Sequence, residues 1–259
     1  RCFLDQYKVR NKEILVRING LDTKWALDDL KTVLPGMPDG IRLPKADSPE
    51  IVERLDTLLT EFEEELGQLG VLFQLAIRRI RPSIETALGV INANSTAKAS
   101  TRLIGLAFGA EDYTATMEIE RTKSGEELFN ARMRVLWAAK AAGIQAIDTI
   151  FADVNDMDSL RRETELIKRL GFTGKCMVNP RQCDVIHDVF APKAEEVEHA
   201  LQIIDAIKRA REMGTGVISL GGKMIDAPIV IRAARVLRTA QAHGLVDIEI
   251  SEEDIYGTE

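Results

Sequence analysis

The feature that most constrains this chain is a serial alternation of short apolar or β-branched runs with longer stretches of helical periodicity. Ile14–Ile18 is followed by the turn Gly20-Leu21-Asp22-Thr23 and a helical stretch to about Leu34. Gly40–Leu43 reads as a second strand. Ser48-Pro49-Glu50 then opens a helix that carries Ile51, Leu55, Leu58, Leu59, Phe62 and Leu66 at helical spacing. A strand ends near Glu85, ahead of a helix through Ala99. Arg102–Phe108 is a strand, and the spacing predicts a long helix over Glu126–Ala142. Ala146–Phe151 is a strand, and Ser159–Leu170 a helix stopped by Gly171. A strand at Lys175–Val178 and a helix at Pro180–Val189 follow. Beyond them lie a helix over Ala194–Met213, an extended piece at Val217–Leu220, and a helix over Met224–Ala242 with Pro228 near its start.

About six strand–helix units in series mean parallel strands joined by crossover helices. Two architectures satisfy that pattern, a β/α barrel and an open doubly wound sheet. No Gly-x-Gly-x-x-Gly follows a strand and no phosphate-binding Gly-x-x-x-x-Gly-Lys-Ser/Thr occurs, which argues against nucleotide binding. The boundary signal near Pro192 separates residues 1–191, the strand–helix series, from residues 192–259, read as a helical extension of the same domain.

Composition narrows the partners. The 259 residues carry 29% charged side chains and a net charge of −7, so no general affinity for nucleic acid is expected. No apolar run approaches the roughly 20 residues of a membrane helix, and the start Arg1-Cys2-Phe3-Leu4-Asp5-Gln6 has no signal-peptide pattern. Cys2, Cys176 and Cys183 lack zinc-site spacing and read as inert thiols of a reducing, cytoplasmic compartment.

In parallel α/β folds, sites collect where strands end. The polar residues at those positions are Arg17 and Asn19, Arg42 and Lys45, Glu85, Glu111 and Asp112, Asp148 and Asp153, and Asn179 and Arg181. Glu85 sits between an apolar strand and an apolar helix, where a carboxylate needs a counter-ion or a metal. The small pair Gly109-Ala110 before Asp112 lets the backbone come close to a neighbour. Two carboxylates from adjacent strand ends suit a hard ion such as Mg²⁺, although helix caps or salt bridges would also account for them. Arg17 suits bidentate carboxylate binding, with a structural ion pair as the alternative. His187, His199 and His243 fall on helical stretches and read as packing or surface residues.

Several segments together resemble the citrate lyase beta-subunit family, within the metal-dependent citryl-, malyl- and citramalyl-thioester lyases of the HpcH/HpaI aldolase type. They are Val16-Arg17-Ile18-Asn19-Gly20, Gly40–Lys45, Ile84–Val90, Gly105–Tyr113, Val178–Gln182 and Gly222–Pro228. The resemblance implies a TIM-type (β/α)8 barrel, of which this sequence matches strands three to eight, with a C-terminal helical lid. It implies Glu85 and Asp112 as Mg²⁺ ligands, with Glu85 also facing substrate. Arg17 is implied as a substrate-binding and catalytic arginine. Asp226, which precedes Pro228 and reads on its own as a helix cap, is implied as a catalytic acid or base. The implied reaction cleaves a citryl thioester to oxaloacetate and an acetyl thioester. Its implied partners are an acyl-carrier (gamma) subunit and an alpha subunit in an oligomeric complex. A free-standing lyase of malyl- or citramalyl-coenzyme A, an aldolase on free oxo acids and a non-catalytic barrel are the alternatives.

Overall fold

The structure is a computed structural model and describes residues 12–68, 79–212, 219–220, 223–248 and 251. Cys2, Met213, Val217-Ile218 and Gly222 lie outside the described residues. The chain divides into two compact units, one ending at Ile186 and the other starting at His187.

In the first unit the strands are β1 (Leu15–Arg17), β2 (Gly40–Leu43), β3 (Arg79–Ile84), β4 (Gly105–Phe108), β5 (Gln145–Asp148) and β6 (Gly174–Lys175). They form a six-stranded sheet in the order β1-β2-β3-β4-β5-β6, every pair parallel. This order decides between the two architectures. A doubly wound sheet reverses its strand order at a switch point, whereas right-handed crossovers between strictly sequential neighbours keep every helix on one face. The sheet is therefore barrel-type, with the inner face left for side chains.

The helices of this unit are α1 (Ala26–Val33), α2 (Pro49–Gln68), α3 (Ala87–Thr96), α4 (Ala110–Thr116), α5 (Phe129–Ala141) and α6 (Met157–Leu170); α7 (Cys183–Phe190) contains the point of division. Their boundaries follow local chemistry. Thr86 caps α3 by accepting from the Gly89 N–H at 2.9 Å. Asp156 caps α6 by accepting from Ser159, and Gly171 stops it in the left-handed region at φ 113°. The helix over 110–116, which the sequence reading passes over, is a seven-residue element that follows Gly109 without a side-chain cap.

Alternation sorts the two faces of the sheet. Ile41 and Leu43, Ile80 and Ile84, and Leu106 and Phe108 are fully buried, as are Leu55 and Leu59 of α2 and Val135 of α5. The opposite face is polar. There Arg42 donates to Ser83, and Arg81 donates to Gln145 and pairs with Glu13.

In the second unit α8 (Ala194–Glu212) packs with α9 (Ala227–Ala242) around Val197, Ala200, Ile204, Val230, Ala234 and Leu237. Strands β7 (Ser219–Leu220) and β8 (Lys223–Met224) pair antiparallel.

Candidate active site

Glu85 is the residue directly after β3, and its side chain is buried. Its Oε1 accepts the Lys45 backbone N–H at 2.9 Å. Lys45 adopts φ 47°, a left-handed conformation that a non-glycine residue takes at a cost of roughly 1–2 kcal/mol. That strain stands at a strand mouth, where it holds a carboxylate in place. Burial raises the Glu85 pKa above its ordinary value. The Lys45 N–H opposes the shift, the Asp112 charge adds to it, and Arg42 and then Arg17 counteract it. Glu85 therefore shares one electrostatic neighbourhood with Asp112, Arg42 and Arg17.

Gly109 explains how the carboxylate fits. A Cβ at Gly109 would stand 2.7 Å from Glu85 Cβ and 2.9 Å from its Oε2. The close approach read from Gly109-Ala110 is thus an approach to Glu85. The next residue, Ala110, is fixed by its N–H donating to the Thr149 hydroxyl at 2.9 Å.

Asp112 lies in the first turn of α4 and is exposed. Among the described residues its carboxylate makes no hydrogen bond, whereas the adjacent Glu111 pairs with Arg121. Arg17 ends β1, exposed and without an ion pair among the described residues. The strand mouths of β1, β3 and β4 therefore gather Arg17, Glu85 and Asp112, all with uncommitted polar atoms. Among the described residues, neither carboxylate is a helix cap or a salt-bridge partner. Among the described residues no group of three or more His, Cys, Asp or Glu side chains could hold a metal. A site of two carboxylates suits a hard divalent cation that takes its remaining oxygens from substrate and water. A buried carboxylate repelled by a second one supplies the electrostatic demand for that cation.

Other polar strand-end residues serve the fold. Asp148 is fully buried on the helix side, where Arg132 of α5 binds it at 2.8 and 3.0 Å and Lys175 Nζ at 3.0 Å. Both cations also pair with Glu163 of α6. Burial raises the Asp148 pKa, but Lys175 and Arg132 outweigh it and hold the carboxyl below its ordinary value. Asn19 donates twice to Asp29, at 2.8 Å each. Asn179 caps a 3₁₀ turn by accepting from Arg181. Cys176 and Cys183 are half-buried, and neither forms a disulfide among the described residues. His187 and His199 lie on α7 and α8, and His243 follows α9.

Asp226, in the second unit, is the N-cap of α9; its Oδ1 accepts from the Ile229 N–H at 3.2 Å. The residues that sequence reasoning missed are Ser83 and the Lys45 backbone. Strand alternation from Glu85 could have found Ser83; the Lys45 conformation has no sequence signal.

The family model described as HpcH/HpaI aldolase/citrate lyase matches residues 3–180. The citrate lyase subunit beta of Leuconostoc mesenteroides subsp. cremoris is 45% identical over 240 residues, which is 92% of this chain and 78% of that protein. The mitochondrial citramalyl-CoA lyase of Rattus norvegicus is 30% identical over 247 residues, 92% of this chain and 71% of that protein. Among solved structures, the protein CitE from Mycobacterium tuberculosis, in complex with magnesium, acetoacetate and coenzyme A, aligns with a TM-score of 0.67. It is 27% identical and covers 88% of this chain and 78% of its own. The citrate lyase beta subunit complexed with oxaloacetate and magnesium from M. tuberculosis aligns with a TM-score of 0.56 at 28% identity, covering 69% and 73%.

Proposed function

We propose, from the premise that this chain belongs to the HpcH/HpaI aldolase/citrate lyase family, that it is a Mg²⁺-dependent lyase that cleaves a citryl thioester to oxaloacetate and an acetyl thioester. The observation that carries this reading is the pair of carboxylates, Glu85 and Asp112, from adjacent strand mouths beside Arg17, neither in a salt bridge among the described residues. The relatives that bind magnesium with oxaloacetate or acetoacetate support it. The 45% identity to a citrate lyase beta subunit, against 30% to a citramalyl-CoA lyase, favours the citryl thioester.

Glu85 and Asp112 would hold the cation, with the Lys45 N–H fixing the orientation of Glu85. Bound there, Mg²⁺ supplies Lewis-acid polarisation of the hydroxyl and carboxylate oxygens of the oxo-acid half. Arg17 binds a carboxylate of that half and stabilises negative charge as it develops on oxygen. A base removes the hydroxyl proton. The oxygen pair then forms the new carbonyl while the carbon–carbon pair passes to the thioester α-carbon, and an acid protonates that carbon. Asp226 is the candidate for one of these proton transfers. That role rests on the Gly222–Pro228 segment, read as part of a lid over a site, in related enzymes that of a neighbouring subunit. Its capping bond leaves Oδ2 uncommitted among the described residues.

The finer architecture belongs to the same proposal. The six parallel strands are six consecutive strands of a TIM-type barrel, strands three to eight in the family's order. The thioester is carried by an acyl-carrier gamma subunit, and an alpha subunit and further copies of this chain complete the complex in the cytoplasm. No described helix is long and apolar enough to cross a membrane.

The deciding experiment assays cleavage of citryl, malyl and citramalyl thioesters with and without Mg²⁺. The expected result is oxaloacetate from the citryl thioester, lost on chelation and lost in Glu85→Ala and Asp112→Ala while both variants stay folded. Near-normal rates in either variant would sink the metal assignment. Glyoxylate or pyruvate as the main product would move the protein to the malyl- or citramalyl-thioester lyases.

A further inference from the structure

Arg17, Arg42 and Arg81 stand side by side across β1, β2 and β3, because Arg17 pairs with Arg42 and Arg42 with Arg81 in the parallel register. Paired residues on neighbouring strands lie about 4.8 Å apart and project to one face, so the rung lines the inner face of the sheet. Like charges placed opposite one another destabilise a sheet unless anions answer them. Of these three arginines, only Arg81 has a carboxylate partner among the described residues, Glu13, with Nη2 at 3.3 Å from Oε2.

Arg42 is held by neutral groups instead. Its Nε donates to Ser83 Oγ at 3.0 Å and its Nη1 to Cys176 Sγ at 3.5 Å. Among the described residues its Nη2 makes no hydrogen bond and no carboxylate pairs with it. Ser83 lies two positions before Glu85 on the same face of the strand, so the Nε bond draws the guanidinium toward the mouth.

The substrate class makes use of a second arginine. A citryl thioester carries two free carboxylates, and its oxo-acid half leaves as a dianion. The two carboxylate ligands, a divalent cation, that dianion and a single arginine leave one negative charge uncancelled; a second arginine cancels it. In a partly buried site an uncancelled charge is costly. The malyl and citramalyl thioesters carry hydrogen or methyl in place of the carboxymethyl group that bears the second carboxylate, and have no use for Arg42.

We infer that Arg42 is the specificity-determining residue that binds the second carboxylate of a dicarboxylate oxo-acid half. The inference rests on the citryl-thioester reading above. The test compares the full chain with Arg42→Gln and Arg42→Lys, using citryl, malyl and citramalyl thioesters and, by calorimetry in Mg²⁺, the free acids oxaloacetate and pyruvate. Arg42→Gln is expected to lower kcat/KM for the citryl thioester by about 10²-fold, because a recognised charged group then goes unpaired. Oxaloacetate binding weakens in parallel, while citramalyl cleavage and pyruvate binding stay unchanged. Should Arg42→Gln fail to fold, Arg42→Lys carries the test. It keeps the charge but not the planar fork, and it is expected to narrow the citryl preference without touching citramalyl cleavage. An equal loss on all three thioesters, or no loss on the citryl thioester, overturns the inference and leaves Arg42 a structural tie between Ser83 and Cys176. A wild-type chain that cleaves none of the thioesters fails at the lyase reading itself, which is a different result from either.

Discussion

Replacing Gly109 by alanine tests the site through a contact that involves no charge. Gly109 has φ −117° and ψ 94°, an extended conformation open to any residue, so alanine adds no backbone strain. The added Cβ would lie 2.7 Å from Glu85 Cβ, roughly 1 Å short of the ordinary carbon–carbon contact of about 3.5–4.0 Å. Glu85 Cβ is fixed to its strand, so the carboxylate cannot simply swing away; the strand end or the whole side chain must move. Overpacking of this kind costs about 1–3 kcal/mol. The reduced freedom of the unfolded chain returns about 0.4–1 kcal/mol of that. A net loss of about 1–2 kcal/mol lowers the midpoint of thermal unfolding by about 2–8 °C for a domain of this size. The functional effect is expected to be larger in proportion, because a misplacement of about 1 Å at a reacting centre costs on the order of 10²-fold in rate. The assay combines a Mg²⁺ titration by calorimetry, steady-state cleavage of the citryl thioester, and a circular-dichroism melt. Gly67→Ala, on α2 with open space around its Cβ position, serves as the control and is expected to raise stability with unchanged turnover. Wild-type Mg²⁺ affinity and turnover in Gly109→Ala would refute the claim that Gly109 exists to seat Glu85.

Two further predictions concern buried charge. In the metal-free protein, Glu85→Gln is expected to raise stability, because it removes a carboxylate whose charged form burial disfavours, while abolishing Mg²⁺ binding. The folded pKa of Glu85 lies above its ordinary 4.5, so its destabilising effect is absent below that value and grows as pH rises through the folded pKa. Melts with chelator at pH 7 and pH 4 check this; a variant less stable than wild type at pH 7 refutes it. Asp148→Asn is expected to cost about 3–5 kcal/mol at neutral pH, because it leaves Arg132 and Lys175 buried against Glu163 alone. The folded pKa of Asp148 is depressed, so its contribution is full above the ordinary 3.8 and is lost as pH falls through the folded value. Urea unfolding at pH 7 and pH 3 should show the gap between wild type and variant shrinking in acid; a gap that holds or widens refutes the assignment.

The parts of the fold legible in the sequence are those whose signals are local. Gly40–Leu43 is a strand as read, and the helix read to Leu170 stops at Gly171 because only a left-handed residue closes it there. The short helix after Gly109 was not legible, since Asp112, Thr114 and Thr116 are weak helix formers and no side chain caps it. The strand read over 175–178 shrinks to Gly174–Lys175, because the Asn179 and Gln182 capping box takes the backbone into a 3₁₀ turn.

The site divides along the same line. Glu85 and Asp112 could be placed at strand ends from sequence, but Asp148 stood in that group on equal terms. What separates them is which face of the strand each occupies, and one residue of register reverses that face. In β5, Asp148 shares the helix side with Ala146, so it meets Arg132 of α5; Glu85, one residue past Ile84, turns to the inner face. The arginine rung is a stronger case. Arg17, Arg42 and Arg81 lie far apart in sequence, and nothing local to any one of them marks it as a neighbour of the others. Only the pairing of β1 with β2 and of β2 with β3 sets them at one level, and only the hydrogen bonds of Arg42 to Ser83 and Cys176 aim one of them along the inner face. A chemical group whose meaning depends on two strand registers at once is invisible to any reading of residues one segment at a time. Charge on the inner face of a parallel sheet therefore has to be read across the strands before any of it is set aside as structural.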